Sequence, residues 1–223
     1  RDPAQAVEWL RTAALQGETA AQTSLAKHYE FGVGTEQDKE LAVRWYEKAV
    51  QGGDPEGMCC LGWLKQTGKW VEADPEGAVE LYRQAAQMGS VRGMVQLGDC
   101  LMEGIGVAAD PEMAVAWYRK GANEGDREAM FSLGLSYELG QGVEQDDVKA
   151  ALWYEQSAQL GSGAGMNLAP VAFLIVKGDS VRLMPVAPPP GTAVDRVVEM
   201  VPDVIDKVTG FIEKQQDKDK SQG

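Results

Sequence analysis

A period of 36 residues runs through about the first 160 positions and constrains the fold more than any other feature of the chain. Its clearest copy is the stretch 110–125, DPEMAVAWYRKGANEG. Stepping from Trp117 in units of 36 meets Trp9, Trp45, Leu81 and Trp153. Gly125 recurs as Gly17, Gly53, Gly89 and Gly161, and Asp110 as Asp2, Asp38, Asp74 and Asp146. A fixed period of this size denotes a stacked array, in which each unit buries its apolar face against its neighbours.

Each unit holds two helices. The second of the pair starts at the recurrent Asp, whose carboxylate can accept from the free backbone N–H groups of the first turn. Pro3, Pro75 and Pro111 follow at a position where a missing N–H is harmless. Ala114, Trp117, Tyr118, Gly121 and Ala122 give the i, i+3, i+4, i+7, i+8 stripe of a helix with one buried face. Gly125 and its equivalents then suit a left-handed cap. The first helix of the next pair opens at Glu18, Asp54, Ser90 or Asp126 and carries a small residue, a leucine and a second small residue: Ala21, Leu25 and Ala26; Gly57, Leu61 and Gly62; Gly93, Leu97 and Gly98; Ala129, Leu133 and Gly134. Glycine inside a helix costs about 1 kcal/mol relative to alanine, so its repetition predicts close helix crossings. These helices stop at Gly32, Gly68, Gly104 and Gly140. Residues 1–161 therefore predict nine helices, a leading second helix and four full pairs.

The loops GVGT at Gly32, GIGV at Gly104 and GQGV at Gly140, followed by Asp, A-x-x-W-Y and A-A-x-x-G, resemble the Sel-one-like repeat (SLR) family, relatives of the tetratricopeptide repeat. The resemblance implies a right-handed superhelix of antiparallel helix pairs that serves as an adaptor for protein partners. The second unit departs from it, with Lys65 where tyrosine or leucine is usual and GKWV at Gly68. An exposed Trp70 is the expected consequence.

Beyond Gly161 the pattern changes. An apolar run, Val171 to Val176, a turn at Lys177, Gly178 and Asp179, and an alternating run, Ser180 to Val186, predict a β-hairpin. Gly165 and Met166 keep the repeat register, but Pro170 falls where a fifth first helix would need its mid-helix glycine, and proline inside a helix costs about 3 kcal/mol. The fold class is thus mainly α: an α-solenoid over 1–161, a Gly-rich segment and hairpin over 162–186, a Pro-rich linker at 187–191, an amphipathic helix over 192–214 on the Val194, Val197, Val198, Val201, Ile205, Val208 and Ile212 stripe, and a polar, disordered tail at 215–223. Residues 161–214, with P-V-A-F-L-I-V and V-P-D-V-I-D-K in order, resemble the C-terminal half of the GerW/YtfJ spore-protein family. That resemblance implies a sporulation or germination setting and no catalytic chemistry. It also suggests that the repeats are inserted in the spore family's Gly-rich loop, with its other half upstream of Arg1.

Composition narrows the function. A formal charge of −13 opposes phosphate backbones and anionic lipid, so nucleic acid and membrane surfaces are not expected partners, and no run approaches the ~20 apolar residues of a membrane span, so insertion is not expected either. Three cysteines, Cys59, Cys60 and Cys100, lack paired metal-ligand spacing and read as free thiols of a reducing, cytoplasmic compartment. With one histidine, His28, a His-dependent triad or a multi-His metal site is not supported. No catalytic, cofactor or metal site is predicted. The Gly loops join helix to helix and lack a following Lys-Ser/Thr, and the acidic clusters at 36–40 and 144–147 lack calcium-loop spacing.

A surface remains. On the first helices, the face away from the recurrent core carries Lys27, His28 and Phe31; Cys60, Trp63 and Leu64; Gln96, Asp99 and Cys100; and Phe131, Leu135 and Leu139. His28, Phe31, Cys60, Trp63, Leu64, Asp99, Cys100, Phe131, Leu135 and Leu139 are the expected lining of a concave groove for a partner's peptide or helix, with Trp63 and Phe131 as anchors. Ordinary inter-helix packing is the competing account of the same residues. The alternative function is a structural spore or envelope protein that self-associates through its strand-helix tail.

Overall fold

The computed structural model describes residues 2–161, 171–177 and 180–186. Two compact units divide the chain, 1–129 with 141–143, and 130–140 with 144 onward.

The first unit holds α1 (Pro3–Leu15), α2 (Thr19–Phe31), α3 (Lys39–Gln51), α4 (Pro55–Thr67), α5 (Pro75–Gln87), α6 (Val91–Glu103), α7 (Pro111–Asn123) and the start of α8 (Arg127–Leu139). Each of α1–α8 has 13 residues, about 20 Å of helix. The caps set that length. Asp38, Asp74 and Asp110 accept from the backbone N–H of Leu41, Gly77 and Met113 at 2.9, 2.9 and 3.0 Å, and Asp2 accepts from Ala4 at 3.0 Å. Asp54, Ser90 and Asp126 cap the companion helices through Gly57, Gly93 and Ala129, whereas Glu18 makes no side-chain cap. The glycines after the odd helices have φ of 81° to 96°. At each, the N–H one residue further on returns to the helix, as in Asp54 to the Ala49 carbonyl at 2.9 Å.

From α1 to α7 each helix packs on the next, and the even helices also touch one another, α2 with α4 and α4 with α6. Their mid-helix small residues admit this crowding. A Cβ at Gly62 or Gly98 would stand 2.5 Å from the ring of Tyr82 or Tyr118, so the tyrosine lies flat against bare backbone. The core is built from Leu25, Tyr46, Leu64, Tyr82 and Leu97, all at most 1% exposed. The recurrent tryptophans are not part of it. Trp9 is 72% exposed, Trp45 and Trp117 are half-buried, and the ammonium groups of Lys48 and Lys120 lie 4.3 and 4.0 Å from the Trp45 and Trp117 ring centroids. The stripe predicted for the odd helices is therefore centred on alanine and tyrosine, with tryptophan at its rim.

In the second unit, α8 continues from Met130 and α9 spans Asp147–Gly161. Gly134 again faces a tyrosine ring, that of Tyr154, and Asp146 caps α9 through Val148 and Lys149. Among the described residues the helices number nine. Strands β1 (Val171–Lys177) and β2 (Ser180–Val186) pair antiparallel, from Val171 opposite Val186 to Lys177 opposite Ser180. The expected turn at 178–179, the Gly-rich stretch 162–170, the linker at 187–191, the amphipathic helix over 192–214 and the polar tail lie outside the described residues.

Candidate partner-binding surface

The side of the even helices turned away from the core is a stripe at i, i+4, i+7 and i+11. On α2 it runs through Ala20, Ser24, Lys27 and Phe31, and on α4 through Glu56, Trp63 and Thr67, interrupted at i+4 by the buried Cys60. Phe31 is 67% exposed and Trp63 37%. Three successive even helices are joined across this face by charge: Glu56 Oε1 accepts from Lys27 Nζ at 2.8 Å and from an Arg92 guanidinium nitrogen at 2.6 Å. Burial alone would raise the Glu56 carboxyl. The hydrogen bond from Lys27 and the Arg92 charge outweigh it and hold the group below the ordinary carboxylate range.

Three expected lining residues are elsewhere. Cys60, Leu64 and Cys100 are 8%, 1% and 1% exposed and belong to the core. Leu64 and Cys100 occupy the register that Ser136 holds in α8, also buried, one residue and therefore about 100° round the helix from the exposed Trp63 position. Because an even helix packs against its odd partners and against other even helices, its buried arc is wide enough to include this phase. Burial pushes the Cys59 and Cys100 thiols up to about 11 and raises Cys60 as well, so all three are poor nucleophiles at neutral pH.

The remaining expected positions divide between the units. His28 is half-buried, with its Nδ1 2.6 Å from the Val33 carbonyl oxygen, which fixes the ring against the loop after α2. Asp99 is half-buried and accepts from the Tyr118 hydroxyl at 2.7 Å. Burial pushes its carboxyl up to about 6, opposed by the Tyr118 hydrogen bond and reinforced by Glu128 and Glu103. In the second unit Phe131 is half-buried against Tyr154, ring centroids 5.3 Å apart. Leu135 is half-buried and Leu139 is 51% exposed.

Two features were not predicted. Lys65, the departure noted in α4, pairs at 2.8 Å with Asp74, the acid that caps α5. Trp70 stands in the loop after α4 with φ +67°, the one non-glycine in the left-handed region among the described residues, and is half-buried rather than exposed as expected, because it packs against the core cluster that includes Leu61 and Leu64. Its register is that of Gly34, Gly106 and Gly142, the second glycines of the other loops. Among the described residues there is no group of three or more His, Cys, Asp or Glu side chains placed to hold a metal, and no described helix is long and apolar enough to cross a membrane.

A stacked array of paired 13-residue helices, periodic beneath and variable on one face, defines a helical repeat protein. Four consecutive Sel1 repeats are matched at 1–18, 19–54, 55–90 and 91–126, and the chain belongs to the Sel1 repeat family. A second family model, sporulation protein YtfJ, matches residues 130–206. That match begins where the second compact unit begins and takes in most of α8, α9 and both strands, whereas the resemblance read from residues ran over 161–214. Among solved structures, a Sel1 repeat protein from Oxalobacter formigenes is 35% identical with a TM-score of 0.68, covering 72% of this chain and 65% of that one. The protective antigen c5321 of uropathogenic Escherichia coli, which displays an SLR fold, is 36% identical with a TM-score of 0.65 over 72% of this chain and 34% of its own. The immunity protein Pa5087 of Pseudomonas aeruginosa is 26% identical with a TM-score of 0.54 over 72% and 60%. This chain thus spans less than two thirds of each of these proteins. No curated protein matches it.

Proposed function

We propose that this chain is a non-enzymatic scaffold that receives a peptide or helix of a protein partner on the outward stripe of α2, α4 and α6, within a sporulating bacterium's cytoplasm or spore. One observation carries the reading: the stripe changes chemistry from helix to helix, through Lys27 and Phe31, Glu56 and Trp63, Arg92 and Asp99, while the residues beneath it repeat. Helical arrays use such a face for binding. Exposed Trp63 and Phe31 supply the apolar anchors, and the Lys27, Glu56 and Arg92 ladder supplies a polar rim. In the second unit, Phe131, Leu135 and Leu139 are proposed as further contacts. The sporulation setting rests on the match over 130–206.

The test places a photo-crosslinking residue at Trp63, and separately at Trp9 on the odd helices. Capture of one partner from Trp63 and not from Trp9 is the expected result, and Trp63→Ala with Phe31→Ala should weaken the purified complex at least about tenfold. Equal capture from both positions, or an unchanged affinity, removes the reading. A second reading, self-association through the strand pair, draws on the same sporulation match and on the two edges that a pair of strands presents. Concentration-dependent light scattering of the full chain separates the two, since a scaffold of the first kind keeps one mass.

A further inference from the structure

The loop after α4 reads GKWV, where the loops after α2, α6 and α8 read GVGT, GIGV and GQGV. In those loops the second glycine is compulsory. A Cβ at Gly34, Gly106 or Gly142 would run into the backbone carbonyl of Pro3, Pro75 or Pro111 at the start of an odd helix, and each glycine has φ between 66° and 73°. At the fourth position Trp70 adopts the same left-handed backbone, φ +67°, and the facing residue is Lys39 instead of proline. A bulky residue held there is strained, and such strain persists where the surroundings impose it.

What surrounds Trp70 is a cation site. The Lys69 ammonium lies 4.5 Å from the Trp70 ring centroid and 4.7 Å from that of Trp63, and the Lys39 ammonium lies 5.8 Å from Trp70. All fall within the range over which an indole face attracts a cation. Lys69 is weakly tethered: its side chain is 41% exposed, and its ion pair with Glu30 is long, at 3.9 Å. Immediately past Trp70 the chain borders a cleft lined by Glu47, Leu61, Lys65, Val71, Glu72 and Asp74, in which Asp74 is paired with Lys65 and Glu47 and Glu72 add two further carboxylates.

We propose that Trp63 and Trp70 form a binding site for the lysine or arginine side chain of a basic segment in a protein partner, and that Lys69 is the resident cation it displaces. Exchange of one cation for another leaves the indoles satisfied, and the freed Lys69 returns to water. The chain's charge of −13 and the neighbouring carboxylates favour a basic segment over an acidic one. The inference deepens the docking reading of the Trp63 face and rests on it for the partner being a protein.

The test follows the indole N–H resonances of the full chain, assigned with Trp63→Phe and Trp70→Gly, during titration with a short Arg-Gly repeat peptide and with a Glu-Gly peptide of equal length. The Arg-Gly peptide should shift Trp63 and Trp70 saturably and leave the other indoles in place; the Glu-Gly peptide should shift neither. Trp70→Gly installs the residue that the other loops carry, so it keeps the fold while removing one ring, and should weaken binding about five- to tenfold. Lys69→Ala should tighten it more than Lys48→Ala, which removes the same charge from beside Trp45. Shifts spread evenly over all indoles, unchanged affinity in Trp70→Gly, or no difference between the two lysine variants overturns the proposal. Crosslinking of a partner from Trp63 with no Arg-Gly shift ends the cation site alone; the opposite pair of results ends the docking reading alone.

Discussion

The pairs α4–α5 and α6–α7 follow one template and part at two places. In both, an odd-helix tyrosine lies against a bare glycine, Tyr82 on Gly62 and Tyr118 on Gly98. Tyr82 donates to the neutral Gln66 at 2.9 Å, sixteen residues back, the spacing that also joins Tyr46 to Glu30 and Tyr154 to Glu138. Tyr118 finds Met102 at that register and turns instead to Asp99, nineteen residues back, at 2.7 Å. The loops differ too: Gly106 lies against the Pro75 carbonyl, and Trp70 replaces it one repeat earlier. Both departures lie on the even helices or their loops, while the Asp caps of the odd helices and their tyrosines stay constant. The repeat varies there and stays constant where a tyrosine lies against bare backbone.

The largest effect should come from putting a side chain where the template forbids one. Gly106→Ala forces a Cβ into the Pro75 carbonyl at φ +66° and should destabilise by about 2–4 kcal/mol in chemical denaturation. A loss below about 0.5 kcal/mol would mean that the loop moves freely and that Trp70 marks nothing. Next come the tyrosines. Tyr46→Phe removes the 2.6 Å donor to the buried Glu30 and should cost about 2–3 kcal/mol, against about 1 kcal/mol for Tyr82→Phe, whose acceptor is an amide. Equal losses would show that acceptor charge does not distinguish the repeats.

Asp99 makes the two pairs differ in their response to pH. Its folded carboxyl titrates near 6, above the unfolded value of about 3.9. The folded state therefore binds the proton more tightly, and this group's contribution to stability falls as pH rises from about 4 to about 6, with the full penalty above that. Asp99→Asn keeps an acceptor for Tyr118 and removes the charge. It should stabilise the protein by about 2 kcal/mol at pH 7.5, with the gain fading towards pH 4. If the Asp99→Asn gain is the same at both pH values, burial of the charge is not its source.

Much of the fold was legible because it rests on local chemistry at a fixed period. The capping residues, the left-handed glycines and the small mid-helix residues are readable from spacing, and the structure places them in those roles except at Glu18, which makes no side-chain cap. The candidate surface was harder to read. Leu64 and Cys100 look like groove residues because they fall off the leucine stripe, yet an even helix has packing partners on more than one side and buries a wider arc than one stripe predicts. Trp45 and Trp117 look like core because they are large and periodic, but lysine three residues on covers them at the rim. The tyrosine acceptors did leave a signal, a polar residue sixteen positions back in three repeats and Met102 in the other. GKWV was visible as a departure, but nothing in sequence shows that Lys69 comes within reach of both Trp63 and Trp70.

The smallest expected change in stability is at Trp70, and it separates strain from packing. Trp70→Gly relieves a left-handed backbone that costs about 1 kcal/mol or more for a bulky residue, but it also removes a ring packed on the core around Leu61 and Leu64. The two contributions oppose each other, so the net change should stay within about 1 kcal/mol in either direction, although a partly buried tryptophan is lost. A loss of about 3 kcal/mol would make Trp70 an ordinary core residue, with its left-handed backbone incidental. A change near zero leaves an aromatic ring that stability does not require at the one loop position where the repeat otherwise demands glycine. Its retention is then accounted for by what the ring contacts on the surface, the cations around Trp63 and Trp70.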